Sequence, residues 1–181
     1  MNNADRKIIA FYSPYPRAGK TTAAEYISNN LTEEFDLRSF ATPIKTFVDD
    51  IVWNLNGQDE LKDTPLESFG GATTRDLLKA FGNAGRSVYP DIWVDMLKDG
   101  MNIFPDDNFV IDDLRFPNEY AMLKDIGAKI VRITNPEREI VKTETEGLLE
   151  GFDFDYELIN YKRSIVEYRA QIRQMIYELW T

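Results

Sequence analysis

With 181 residues, 43% of them hydrophobic and 29% charged, the chain has an ordinary globular composition; it allows one full hydrophobic core and argues against two independent domains or disorder. A net charge of −10 argues against a coat for a nucleic acid polymer, and any small phosphorylated ligand would need a local cluster of arginines. Cysteine and histidine are both absent, which excludes disulfides, thiolates and imidazole chemistry and leaves carboxylates, lysine, arginine, hydroxyls and a bound ion. No run approaches the ~20 apolar residues of a membrane span and residues 1–6 lack a signal-peptide pattern, so no membrane partner and a cytoplasmic location are expected.

Residues 7–12 read as a buried strand, and Lys20 to about Asn30 as the helix after it, with Ala23, Tyr26, Ile27 and Leu31 on its apolar face. Between them runs Ser13-Pro14-Tyr15-Pro16-Arg17-Ala18-Gly19-Lys20-Thr21-Thr22. Strand, loop, Gly-Lys-Thr and helix make a phosphate cradle, which points to a nucleoside triphosphate. Backbone N–H groups wrap the α- and β-phosphates, the Lys20 ammonium reaches the β/γ oxygens, and the next hydroxyl ligates Mg²⁺. The helix adds its positive dipole end. Pro14 stands where the pattern Gly-x-x-x-x-Gly-Lys-[Ser/Thr] has glycine; proline still makes a tight turn but removes one N–H. The alternative for the segment is a Gly-Lys turn that merely caps a buried helix.

Residues 35–40 alternate as a second short strand, and Pro43 opens a helix with Ile44, Phe47, Val48, Ile51 and Leu55 on one side. Residues 56–72 are loop-rich. Thr73-x-x-Asp76 has capping-box spacing ahead of a helix through Leu77, Leu78 and Phe81, with Gly85-Arg86-Ser87 read as a turn. Pro90 opens another helix, carrying Ile92, Trp93, Met96 and Leu97. A short strand, Phe109 to Asp113, ends in two acids; helix over 117–126, strand over 129–134 and a break at Asn135-Pro136 follow. Ser164-x-x-Glu167 caps a last helix with Ile165, Tyr168, Ile172, Ile176 and Leu179 at helical spacing. Alternating strands and helices imply an α/β fold with a mostly parallel sheet, ligands sitting at the carboxyl ends of its strands.

An acid at the end of a buried strand beside a phosphate loop is a candidate Mg²⁺ ligand, here Asp113 with Asp112 as the fallback; the plain alternative is a turn or capping acid. Arg17, Arg75, Arg86, Arg115 and Arg132 are candidate phosphate contacts, against a default of solvated surface. Arg115 stands out because it directly follows the acidic strand. Arg132 alternates with Ile130 and Thr134, which also suits a strand residue snorkelling to the surface.

Three blocks carry a resemblance: Tyr15 to Thr22; Arg75-Asp76-Leu77-Leu78-Lys79-Ala80-Phe81-Gly82 through Gly85-Arg86 to Pro90-Asp91-Ile92-Trp93-Val94; and Asp113-Leu114-Arg115-Phe116-Pro117-Asn118-Glu119. In order and spacing the chain resembles the bacteriophage deoxynucleoside monophosphate kinases. Lys129 to Thr134 and the stretch Phe152 to Tyr156 with Asn160 extend the likeness over nearly the whole chain. It implies a single P-loop kinase domain over 1–181, with ATP and Mg²⁺ as cofactors, small nucleotides as partners, and a monomer or homodimer, in a host cytoplasm if phage-encoded. The implied reaction moves the ATP γ-phosphoryl group to a deoxynucleoside 5′-monophosphate. Lys20, Arg86 and Arg115 then act in catalysis. Pro14, Tyr15, Arg17, Ala18, Gly19, Lys20, Thr21, Thr22 and Arg132 bind ATP. Phe40, Lys45, Arg75, Arg86, Tyr89, Asp91, Trp93 and Arg115 bind the acceptor, while Thr21 and Asp113 serve the metal. Thr21 stands where many members of that family carry Asp, which leaves Thr21 and Thr22 both open as the metal's hydroxyl.

The inventory suits phosphoryl transfer, whose acceptor is already an anionic nucleophile and needs positioning and charge neutralisation more than a protein base. Segments 56–72 and about 135–151 are expected to close over the substrates, the second as a lid, and about 43–102 to form an acceptor-side insert. A GTPase-like switch would need an Asn-Lys-x-Asp block, which the sequence lacks. Another small-molecule kinase on the same fold, or a non-catalytic nucleotide-binding module, remain the competing readings.

Overall fold

The apolar run Ile8–Tyr12 forms β1, buried along its whole length, in a computed structural model that describes residues 6–52, 62–137, 147–161 and 164–181. Then follow α1 (Lys20–Asn30), β2 (Phe35–Arg38), α2 (Thr42–Val52), α3 (Thr74–Val88), α4 (Ile92–Asn102), β3 (Asn108–Leu114), α5 (Pro117–Asp125), β4 (Lys129–Thr134), β5 (Tyr156–Ile159) and α6 (Ile165–Trp180). The chain packs as two compact units, Met1–Ser39 with Leu97–Thr181, and Phe40–Met96.

The first unit is built on a sheet of order β2-β3-β1-β4-β5, and every neighbouring pair is parallel. A strand buried on both faces reads as a continuous apolar run, which is why β1 lacks alternation. Ile9 and Phe11 face a core completed by Val110, Val131, Ile133 and Leu158 from the sheet, Ala23, Ala24 and Ile27 from α1, and Tyr168, Ile172 and Met175 from α6. Each fully buried Val, Leu, Ile, Phe or Met side chain among them contributes ~1.5–3 kcal/mol relative to exposure. β1 lies between β3 and β4. Its carboxyl end is therefore a point where the chain leaves in opposite directions, the place such sheets hold ligands.

In the second unit, α2 packs against α3 through an edge-to-face contact of Phe47 with Phe81. α3 starts on a reciprocal capping box: Thr73 Oγ1 accepts from the Asp76 N–H and the Asp76 carboxylate accepts from the Thr73 N–H. Residues 62–72 hold a 3₁₀ turn at Glu67–Phe69 and an isolated bridge between Pro65 and Thr73.

Several elements differ from expectation. Gly85, Arg86 and Ser87 lie inside α3 and form no turn, because glycine there makes room for Trp93. β2 ends at Arg38, short of Phe40. β5 is an added edge strand. On α6, Ile165 is 48% exposed and Met175 is fully buried in the core in its place. Leu55, residues 56–61 of the loop-rich segment and residues 138–146 of the expected lid lie outside the described residues. Among the described residues no helix is long and apolar enough to cross a membrane.

β5 is tied to β4 by Asp155, whose carboxylate accepts from the Ile130 N–H at 2.8 Å and pairs with Lys124 at 3.0 Å and Lys129 at 3.8 Å. Burial pushes this carboxyl up, but the Ile130 N–H and the two ammonium groups outweigh it and hold it below the ordinary 3.8. A depressed carboxylate stabilises the fold above its unfolded pKa and loses that contribution as pH falls through its folded pKa. Asp155→Asn should therefore lower the melting temperature at pH 7, with the gap to wild type closing below pH ~4. Thermal melts of both proteins at pH 7 and pH 3 check this; a gap independent of pH would refute it.

Candidate active site

The loop after β1 takes its left-handed turns at Arg17 (φ 55°) and Gly19 (φ 103°). Position 14 needs no such turn, and proline fits it without strain. A left-handed arginine is uncommon and is tolerated where the surroundings hold it. Here they do. The Asn160 side-chain amide donates to Ala18 O at 2.8 Å, and the Tyr168 hydroxyl donates to Gly19 O at 3.1 Å. A Cβ on Gly19 would lie 2.8 Å from Asn160 Nδ2 and 3.1 Å from the Tyr168 hydroxyl, so the brace itself demands glycine. The two carbonyls are thus gripped by Asn160, just past β5, and by Tyr168 of α6, and the Gly19 carbonyl also begins α1 by accepting from the Ala23 N–H at 2.9 Å. Burial pushes the Tyr168 phenol up, so it stays a neutral donor. Lys20 and Thr21 are the first two residues of α1, where the helix dipole favours an anion.

β3 brings its two acids to this loop through an irregularity. While β1 advances two residues from Ala10 to Tyr12, β3 advances three from Ile111 to Leu114. The extra residue falls at Asp112-Asp113, and such a bulge re-aims side chains. Asp112 is buried and accepts from the Thr21 hydroxyl at 2.8 Å. Asp113 accepts from the Ser39 hydroxyl, just past β2, at 2.5 Å. Thr21, not Thr22, is thus the hydroxyl bonded to the strand-end acids, and Asp112, not Asp113, is its partner. Ser39 went unread in the sequence; its position at the carboxyl edge of the sheet was the available signal.

Arg115 follows β3 directly. Glu119, 3% exposed, accepts from the N–H groups of Arg115 and Phe116 at 2.8 and 3.0 Å, and Pro117 opens α5. The Arg-Phe-Pro-Asn-Glu stretch is thus a local device: the glutamate caps the helix and the cap sets the backbone that carries Arg115. Arg132 lies in register with Tyr12 and is paired with Glu150 at 2.6 Å, over the Phe154 ring. Glu150 also accepts from the Tyr12 hydroxyl at 3.1 Å; burial first, then this carboxylate, pushes the Tyr12 phenol up. The first unit thus carries the whole phosphate loop, Asp112, Asp113, Arg115 and Arg132.

Phe40, Lys45, Arg75, Arg86, Tyr89, Asp91 and Trp93 belong to the second unit. Arg86 is on the last turn of α3, half-buried. Arg75, at its start, makes a two-pronged bond to Asp63 at 2.6 and 3.2 Å. Of the three aromatics, Phe40 is 2% exposed, Trp93 donates its indole N–H to Gly82 O, and Tyr89 keeps an open ring with its hydroxyl on Asp95.

The sheet, its flanking helices and the loop after β1 make a P-loop kinase fold. The solved dephospho-CoA kinase from Campylobacter jejuni superposes with a TM-score of 0.53 over 96% of this chain and 97% of that chain, at 15% sequence identity. Among curated proteins, a "putative deoxynucleotide monophosphate kinase" of Acanthamoeba polyphaga mimivirus is 29% identical over 175 residues, 86% of this chain and 89% of its own length. No protein-family model matches the chain.

Among the described residues no group of three or more acidic side chains forms a metal cage. Mg²⁺ needs none: it takes one or two carboxylates, retains waters and completes its shell with phosphate oxygens. The hard oxygen pair Thr21 and Asp112 fits that habit. Asp112→Asn should raise the Mg²⁺ concentration for half-maximal turnover by about tenfold or more, and Asp113→Asn by less. Mg²⁺ titrations of both variants decide it; the reverse ranking would shift the metal to Asp113.

Proposed function

We propose that the protein is an ATP-dependent deoxynucleoside monophosphate kinase, which moves the γ-phosphoryl group of ATP onto the 5′-phosphate of a deoxynucleoside monophosphate to give ADP and the diphosphate. The observation that carries this reading is the union of phosphate loop and strand-end acid through the Thr21–Asp112 bond. The name of the mimivirus relative and the Asp-x-Arg-Phe-Pro-Asn-Glu resemblance support the choice of acceptor.

The acceptor phosphate attacks as an anion, so the chain's task is to align two polyanions and neutralise the charge that builds between them. Loop N–H groups and the α1 terminus receive the ATP phosphates, Lys20 meets the transferring end, and Arg17 and Arg132 serve the ATP side. Mg²⁺, when bound at Thr21 and Asp112, would neutralise the β- and γ-phosphate oxygens. In the second unit Arg86, Arg75 and Lys45 serve the acceptor phosphate and Tyr89, Asp91 and Trp93 the nucleoside, while Arg115 of the first unit serves the transferring group; Phe40, 2% exposed, belongs to the packing and not to the contact surface.

A second reading, a kinase for another phosphate-bearing small molecule, draws on the dephospho-CoA kinase likeness. A coupled ADP-release assay with ribo- and deoxynucleoside monophosphates and dephospho-CoA separates the two. Turnover dependent on a deoxynucleoside monophosphate is expected. Turnover only with dephospho-CoA would replace the first reading by the second, and slow acceptor-independent hydrolysis would remove both.

A further inference from the structure

Two glycines lie in the interior of α3, where glycine is a poor helix former, and their surroundings give each a different reason. At Gly85 a Cβ would stand 2.4 Å from Trp93 Cζ2 and 3.0 Å from its Cε2, so the indole could not remain. Gly85 is a seat for Trp93. At Gly82 a Cβ would meet Arg86 Nη1 at 3.2 Å and Ile44 Cδ1 at 3.4 Å. The nearest neighbour is here the tip of a flexible side chain one helical turn on. Helical side chains lean toward the N-terminus, so the residue at i+4 covers position i, and the Arg86 guanidinium lies over the bare backbone of Gly82. The same peptide accepts the Trp93 indole N–H at 3.1 Å, which fixes the backbone beneath the guanidinium.

We infer that Gly82 is a positioning residue for Arg86: the missing side chain leaves the ledge on which the guanidinium rests and sets where its fork is presented. The inference rests on the reading of Arg86 as a group that grips the acceptor phosphate. A planar fork tolerates little displacement, because its paired N–H groups must meet two oxygens at once. A methyl at 82 moves the fork by a few tenths of an ångström while relieving the helix of a glycine.

Gly82→Ala should keep or raise the melting temperature, yet lower kcat/KM for the acceptor by about tenfold with KM for ATP unchanged. In an Arg86→Ala background the same substitution should cost nothing further, since the group it displaces is gone. The Arg86 Nε–Hε resonance should shift in Gly82→Ala whether or not the protein turns over. An unmoved resonance, or an equal loss of turnover in both backgrounds, overturns the inference. If wild type phosphorylates no nucleoside monophosphate, the functional reading fails separately, and the resonance still decides whether Gly82 places Arg86.

Discussion

Lys20→Ala should lower phosphoryl transfer by ~10³-fold or more while leaving the melting temperature close to wild type. The magnitude is the upper end of what loss of one preorganised charge-stabilising group costs. Lys20 is the first residue of α1, half-buried at the mouth of the phosphate loop, and alanine is the better helix former there. The Asn160 and Tyr168 bonds run to the carbonyls of residues 18 and 19 and do not use the Lys20 side chain, so the loop keeps its shape. Single-turnover measurement of γ-phosphoryl transfer, paired with a thermal melt, checks both halves. Wild-type turnover in the variant would remove Lys20 from the mechanism; a collapsed melting temperature would make its role structural.

Arg86→Lys and Arg115→Lys should each lower kcat by roughly 100-fold, less than the loss of an arginine finger because a positive charge persists. Lysine keeps the charge and loses the planar fork, which is the part that matches phosphate oxygens in pairs. Arg115 is the sharper test, because Glu119 fixes the backbone N–H groups of residues 115 and 116 and the substitution leaves that cap untouched. Steady-state kinetics with the acceptor varied read the outcome. A rise in acceptor KM alone would make the residue a ground-state contact, and unchanged kinetics would return it to the surface.

What could be read in the sequence was what local chemistry decides. The helix from Lys20 to Asn30, the strand from Lys129 to Thr134 and the Thr73–Asp76 capping box were legible because each is set by neighbours within a few residues. β5 was not, since in Tyr156–Ile159 only Leu158 is buried and an edge strand so short carries no period. Gly85 resembles a turn in sequence, and the Trp93 ring that explains it arrives eight residues later. The choice between Asp112 and Asp113 depends on a bulge created by pairing with β1, which no strand pattern reveals. Tyr168 was placed on the buried face of α6, but its hydroxyl had no visible partner. A buried tyrosine needs one, and that requirement was the only clue to the brace.

The brace also fixes an order of events. The phosphate loop precedes its own brace in the chain: the carbonyls of Ala18 and Gly19 are held by side chains 142 and 149 positions further along. Contacts so distant in sequence form only after the intervening chain has been made and folded back. Until then the loop carries its recognisable motif without the bonds that hold its shape. The left-handed turns at Arg17 and Gly19 are therefore expected to be held only once α6 has docked, so that the shape of the loop reports on the far end of the fold.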